Sequence, residues 1–193
     1  MKNILYIFDF DDTLVKSDAE VVVTHRDNSI TKLSSEEFAK YVPRTGDEFD
    51  FTEFESYPPN AQPISSTINK LNQAISSAGI KNVVILTARQ KARPVQKFLN
   101  DQGLSPSPQV VAVGSANPAT KARFVISKLR TNNYDTVHVF EDNINNIIAI
   151  KNVVRQAGLK FRSTLINESF HVSNFKTLQQ FKVSRLNRSW RKN

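Results

Sequence analysis

A chain of 193 residues suffices for one domain with a sizeable core, or for a core carrying a small insert. Its 39% apolar and 23% charged content suits a globular protein, and the lack of cysteine excludes disulfides, thiolate metal sites and cysteine nucleophiles. The net charge of +8 favours a polyanionic partner, such as nucleic acid or a phosphorylated metabolite.

Residues 4–8 (ILYIF) form a continuous apolar run and predict a buried strand. Three aspartates follow within four residues: Asp9, Asp11 and Asp12. Carboxylates this close repel one another and are costly to desolvate, so the position calls for a bound cation or a chemical task. Residues 20–33 (EVVVTHRDNSITKL) predict a hairpin around the RDNS turn. SSEEFAKY predicts a short helix capped by Ser34 or Ser35. The following stretch, VPRTGDEFDFTEFESYPPNAQP, is irregular, acidic and aromatic. Its ring run of Phe49, Phe51, Phe54 and Tyr57 suits a local apolar cluster anchoring the insertion, a lid, or a base-stacking surface. Residues 16–62 as a whole are expected to be an insertion over the end of the first strand.

Regular patterning then resumes. A helix is predicted at 64–78, stopped by Gly79, then a buried strand at 82–87 (NVVILT). A helix near Pro94 runs to Gln102, QVVAVG is a third strand, and residues 119–131 are helical. TVHVF is a fourth strand ending in EDN, residues 144–156 are helical, and KFRSTLI is the last strand. Strands alternating with helices define an α/β class with a mostly parallel sheet, whose strand C-termini share one ligand-binding edge. A single domain is expected over residues 1–172, followed by a basic segment at 173–193. The final KVSRLNRSWRKN holds five Lys or Arg and no acid, which suits a solvated tail or a nucleic-acid contact. Residues 1–10 lack a secretory signal and no window is long enough to span a bilayer, so a cytoplasmic location without membrane contact is expected. Oligomeric state is left open.

Chemistry gathers at the strand ends: Asp9 after the first, Thr87 after the second, Glu141 and Asp142 after the fourth, with Lys121 opening the helix after the third. Carboxylates, a hydroxyl and an ammonium suit Mg²⁺ and phosphate, because Mg²⁺ prefers hard oxygen ligands and neutralises crowded carboxylates. His25, His138 and His171 are too scattered for a zinc site, and His138 is read as a packed strand residue.

DFDDTLV, VVILTAR, the lone lysine of ATKARF and VHVFEDNINN resemble, in order, the four motifs of the haloacid dehalogenase (HAD) superfamily. The resemblance spans residues 4 to about 150. It implies a three-layer Rossmann-like core with a small cap after the first strand, and a Mg²⁺-dependent phosphatase. Asp9 would be the nucleophile that forms an aspartyl-phosphate. Asp11 would protonate the leaving oxygen and then activate water, help worth about 10²–10⁴-fold. Asp9, the Asp11 carbonyl and Asp142 would hold Mg²⁺, with Glu141 behind Asp142. Thr87, Lys121 and the metal would stabilise the phosphoryl oxygens, and Arg89 would contact the substrate phosphate. Asp12 is read as turn chemistry and Asn143 as a helix cap. Asp11 argues against a dehalogenase, the missing membrane spans against a transporter, and the small insertion against a mutase. A small cap and basic charge point to a nucleic-acid end such as a 3′-phosphate, likened loosely to the phosphatase modules of polynucleotide end-healing proteins. A nucleotide, another small phosphomonoester, or a non-catalytic nucleic-acid-binding module are the alternatives.

Overall fold

The structure, a computed structural model, describes residues 3–166. The expected domain end at residue 172, the basic segment 173–193 and His171 lie outside the described residues. The core sheet is built from β1 (Ile4–Phe8), β7 (Val83–Thr87), β8 (Gln109–Ala112), β9 (Thr136–Glu141) and β10 (Lys160–Leu165). These five strands are all parallel, in the order β10-β9-β1-β7-β8. Every residue of β7 is buried, as expected for a strand with both faces covered.

One face carries α2 (Ser65–Ala78) and α3 (Ala92–Asp101), which pack Leu71, Val95 and Phe98 against Phe8 and Ile85. The other carries α4 (Pro118–Thr131) and α5 (Ile144–Gln156), which pack Val125, Ile150 and Val154 against Ile7, Val84 and Val139. The alternation Leu5/Ile7 against Tyr6/Phe8 along β1 thus splits one strand between two apolar layers. The result is an α/β architecture with helices on both sides of a parallel sheet, compatible with a Rossmann-like core.

Local signals position the helices. Asn117 caps α4 by accepting from the Ala119 N–H at 3.0 Å, with Pro118 at the first helical position, where its missing N–H costs nothing. Asn143 caps α5 in the expected way. Helix α3 starts two residues before Pro94, because a proline in the first turn sacrifices no intrahelical bond.

The segment between β1 and α2 is an insertion closed by a two-strand stem, β2 (Val15–Lys16) against β6 (Gln62–Pro63). Its body is a three-stranded antiparallel sheet of β4 (Ile30–Ser34), β3 (Glu20–Thr24) and β5 (Glu48–Asp50), with α1 (Ser35–Lys40) after β4. Ser34 and Glu37 form a reciprocal capping box on α1. Strand β5 lies inside the stretch expected to be irregular. Only three residues long, with an acid at each end, it carries little strand propensity and is held by pairing Phe49 with Val23. The rings of that stretch do not form one cluster. Phe49 and Phe51 meet Phe38, whereas Tyr57 reaches Phe98 of the core. Among the described residues no helix is long and apolar enough to cross a membrane.

Candidate active site

The strand order reverses at β1, whose neighbours β9 and β7 lead to opposite halves of the sheet. At such a point the connections diverge and leave a crevice beyond the strand C-termini. Asp9, Thr87 and Glu141 all arrive there because all their strands run the same way. The Asp9 N–H donates to the Phe140 carbonyl at 2.9 Å, continuing the ladder one residue past β1.

Lys121, only 3% exposed, joins the two central strands. Its Nζ donates to Asp9 Oδ1 at 2.6 Å and to Glu141 Oε2 at 2.9 Å. Glu141 also accepts through Oε1 from Asn146 Nδ2 at 3.1 Å and from the Asn143 N–H at 3.3 Å. Its oxygens are therefore heavily engaged. Asp142 is less buried, and Thr13 Oγ1 donates to its Oδ1 at 3.3 Å. Neither Asn146 nor Thr13 was expected as a partner of these acids. For Asn146, the signal was its position one turn into the helix that follows the acidic pair.

Asp9, Glu141 and Asp142 each offer a ligand oxygen, and these atoms lie within 4.8 Å of one another. Burial pushes the Asp9 carboxyl up to about 7, helped by the charge of Glu141 and opposed by Lys121. Burial likewise pushes Asp142 up to about 9, with Asp9 and Glu141 adding to it. Burial alone would lower the Lys121 ammonium, but the charges of Asp9 and Glu141 override that and raise it. One ammonium thus pairs with two of three close carboxylates, Asp9 and Glu141, and the crowding raises the proton affinity of Asp9 and Asp142. The donor set fits a hard divalent cation such as Mg²⁺, which would take the place of protons there. Asp142 is the acid best able to turn an oxygen toward it, while Glu141 is anchored from several sides.

Asp11 lies on the turn that leaves β1. The Leu14 N–H returns to the Phe10 carbonyl at 2.8 Å, and Asp12 adopts a left-handed φ of 54° with its N–H on the Val15 carbonyl. That conformation agrees with a turn role for Asp12, since aspartate tolerates it better than most residues. Arg89 grips Asp11 with a two-pronged contact: Nε donates to Oδ2 at 2.9 Å and Nη2 to Oδ1 at 2.7 Å. Its Nη1 donates to the carbonyls of Phe54 (2.9 Å) and Ser56 (3.0 Å) in the insertion. A substrate-phosphate contact from Arg89 would require the guanidinium to release one of these acceptors. Thr87 is fully buried, and its hydroxyl accepts the Arg89 N–H at 3.2 Å. It therefore shapes the loop that aims Arg89.

The two described histidines, His25 and His138, stand apart from this site. His138 stacks on Phe140 at 4.4 Å and meets Thr164 Oγ1, with burial holding its imidazole below the usual range. His25 contacts Asp47 through Nδ1 and Thr31 through Nε2, each at 2.8 Å, inside the insertion.

A cavity of about 400 Å³ opens over the crevice, lined by Asp9, Asp11, Lys121 and Asp142 on the core side. Phe38, Phe51 and Phe54 line it on the insertion side. Its size falls in the range of small-molecule sites, about 300–1,000 Å³. The chain matches no family model, no curated protein and no solved structure.

Proposed function

We propose that the chain is a Mg²⁺-dependent phosphomonoester hydrolase of the HAD type that works through an aspartyl-phosphate on Asp9. One observation carries this reading: three convergent carboxylates and a buried lysine stand at the switch point of a parallel sheet, at the floor of a ligand-sized cavity. The order of the four motifs supports it independently. Bound Mg²⁺ would supply positive charge for the phosphoryl oxygens and hold Asp9 ionised.

An Asp9 carboxylate oxygen attacks phosphorus, and the bond from phosphorus to the leaving oxygen breaks. Asp11 gives its proton to that oxygen, releasing the alcohol. Asp11 then takes a proton from water as the water oxygen attacks phosphorus, and the phosphorus–Asp9 bond breaks to release inorganic phosphate. Lys121 keeps Asp9 aimed from behind and offsets charge on the phosphoryl group. Arg89 fixes the plane of the Asp11 carboxylate, and each of its oxygens keeps a second lone pair for the travelling proton. The net charge of +8 supports a nucleotide or a nucleic-acid end as the phosphate bearer.

The test is hydrolysis of p-nitrophenyl phosphate with and without Mg²⁺, comparing the native chain with Asp9→Asn. Mg²⁺-dependent release that Asp9→Asn abolishes while the variant stays folded is the expected outcome. No turnover by the native chain over a panel that includes nucleotides and oligonucleotide ends would favour the non-catalytic binding module.

A further inference from the structure

The insertion side of the cavity is aromatic, and nothing in the reaction above uses it. Phe38 from α1, together with Phe51 and Phe54 at the short 3₁₀ turn Thr52–Glu55, lines the space facing the carboxylates. All three rings are only partly buried. They are nevertheless held from other sides. Phe38 meets Phe51 edge-to-face at 5.3 Å and Phe49 at 5.6 Å, and Tyr41 closes on Phe49 at 6.1 Å. The Arg89 guanidinium lies 5.3 Å from the centre of the Phe54 ring. Large apolar rings held in place yet left uncovered form a preorganised surface that a flat ligand would desolvate favourably.

Two further features narrow the ligand. Six carboxylates line the cavity against two cations, Lys121 and Arg89, and both cations are already paired with carboxylates. Additional anionic groups beyond the reacting phosphate would meet an excess of carboxylates, so the part of the leaving group inside the cavity is uncharged. Gln90 and Asn145 also line the cavity, and their side-chain amides make no hydrogen bond among the described residues. Such amides offer the paired donor and acceptor that match the edge of a nucleobase.

We propose that the insertion wall is a nucleobase subsite: the leaving group is a nucleoside whose base stacks on Phe51 and meets the perpendicular Phe38 ring at its edge, while its phosphate lies at Asp9. The assignment rests on the hydrolase reading for the placement of the phosphate. A cavity of about 400 Å³ suits one nucleotide. A free nucleoside monophosphate and the terminal nucleotide of a strand share this chemistry, and in the second case the rest of the strand runs outside.

The experiment uses the full chain in Mg²⁺. Turnover of 3′-AMP and 5′-AMP is compared with that of ribose 5-phosphate and a 3′-phosphorylated oligonucleotide, and adenosine binding is followed by calorimetry. The better nucleotide should exceed ribose 5-phosphate in kcat/KM by roughly ten- to a hundredfold, the range for one base stacked on an aromatic side chain. Phe51→Ala and Phe51→Leu should collapse that ratio toward one, whereas Phe51→Trp should retain it. The leucine variant keeps the apolar bulk if alanine fails to fold. Preference for the oligonucleotide or for the mononucleotide identifies the source and supports the subsite either way. Equal efficiency with and without a base, unchanged by Phe51→Leu, overturns the subsite and leaves the hydrolase standing. Phe51-dependent adenosine binding without turnover of any ester supports the subsite and overturns the hydrolase.

Discussion

Arg89→Ala probes the joint between the turn that carries Asp11 and the insertion. The guanidinium makes two charge-assisted bonds to Asp11 and one each to the Phe54 and Ser56 carbonyls. Its side chain is 1% exposed, while that of Asp11 is 18% exposed. Deleting one partner of a buried pair costs about 3–5 kcal/mol, because the other is left uncompensated. Water can reach Asp11, so the lower end of that range, about 3 kcal/mol, is expected. Arg89→Lys keeps the charge but not the fork, and should cost about 1.5–3 kcal/mol. Urea denaturation gives the global loss, and hydrogen exchange shows where protection is lost. Protection should fall first in the insertion, which Arg89 clips to the core through the two carbonyls. A loss under about 1 kcal/mol, with insertion protection unchanged, would refute the reasoning.

Three further outcomes follow from the same contacts. Lys121→Met leaves Asp9 and Glu141 facing each other without their shared cation, and should destabilise the chain by about 3–5 kcal/mol in denaturant; a loss below 1 kcal/mol would contradict the pairing. Mg²⁺ should raise the melting temperature of the native chain by mass action, and Asp142→Asn should shrink that rise; an undiminished rise would remove Asp142 from the metal site. In the insertion, the Tyr41 hydroxyl, the Arg44 N–H and His25 hold the Asp47 carboxyl down at about 2. Because this folded-state value lies below the ordinary one of about 3.9, the stabilisation is complete above pH 4 and is lost as pH falls toward 2. Thermal melts of Asp47→Asn should therefore lose less stability across that window than the native chain, and parallel curves would count against the network.

The core was legible because its signals are local. Three core strands, ILYIF, VVILT and TVHVF, are apolar runs that end on or next to a polar residue, and Gly79 and Asn143 mark helix boundaries where expected. Parallel strands then place Asp9, Thr87 and Glu141 on one edge without any knowledge of side-chain packing. What escaped the sequence is non-local. Arg89 and Asp11 lie 78 positions apart, and only the folded insertion supplies the two carbonyls that complete the arginine's partners. Strand β5 depends on pairing with β3 and has almost no propensity of its own. Likewise the capped pattern of α1 announces a helix but does not say that Phe38 faces the carboxylates across a cavity.

Phosphorylation of Asp9 during turnover tests the central claim most directly. The native chain is quenched in acid while hydrolysing a phosphomonoester in Mg²⁺, digested, and mapped by mass spectrometry. Phosphate is expected on Asp9 in the peptide that carries FDFDDTLV, lost in Asp9→Asn and absent without Mg²⁺. Full turnover by Asp9→Asn, or phosphate mapped to a different residue, would contradict it.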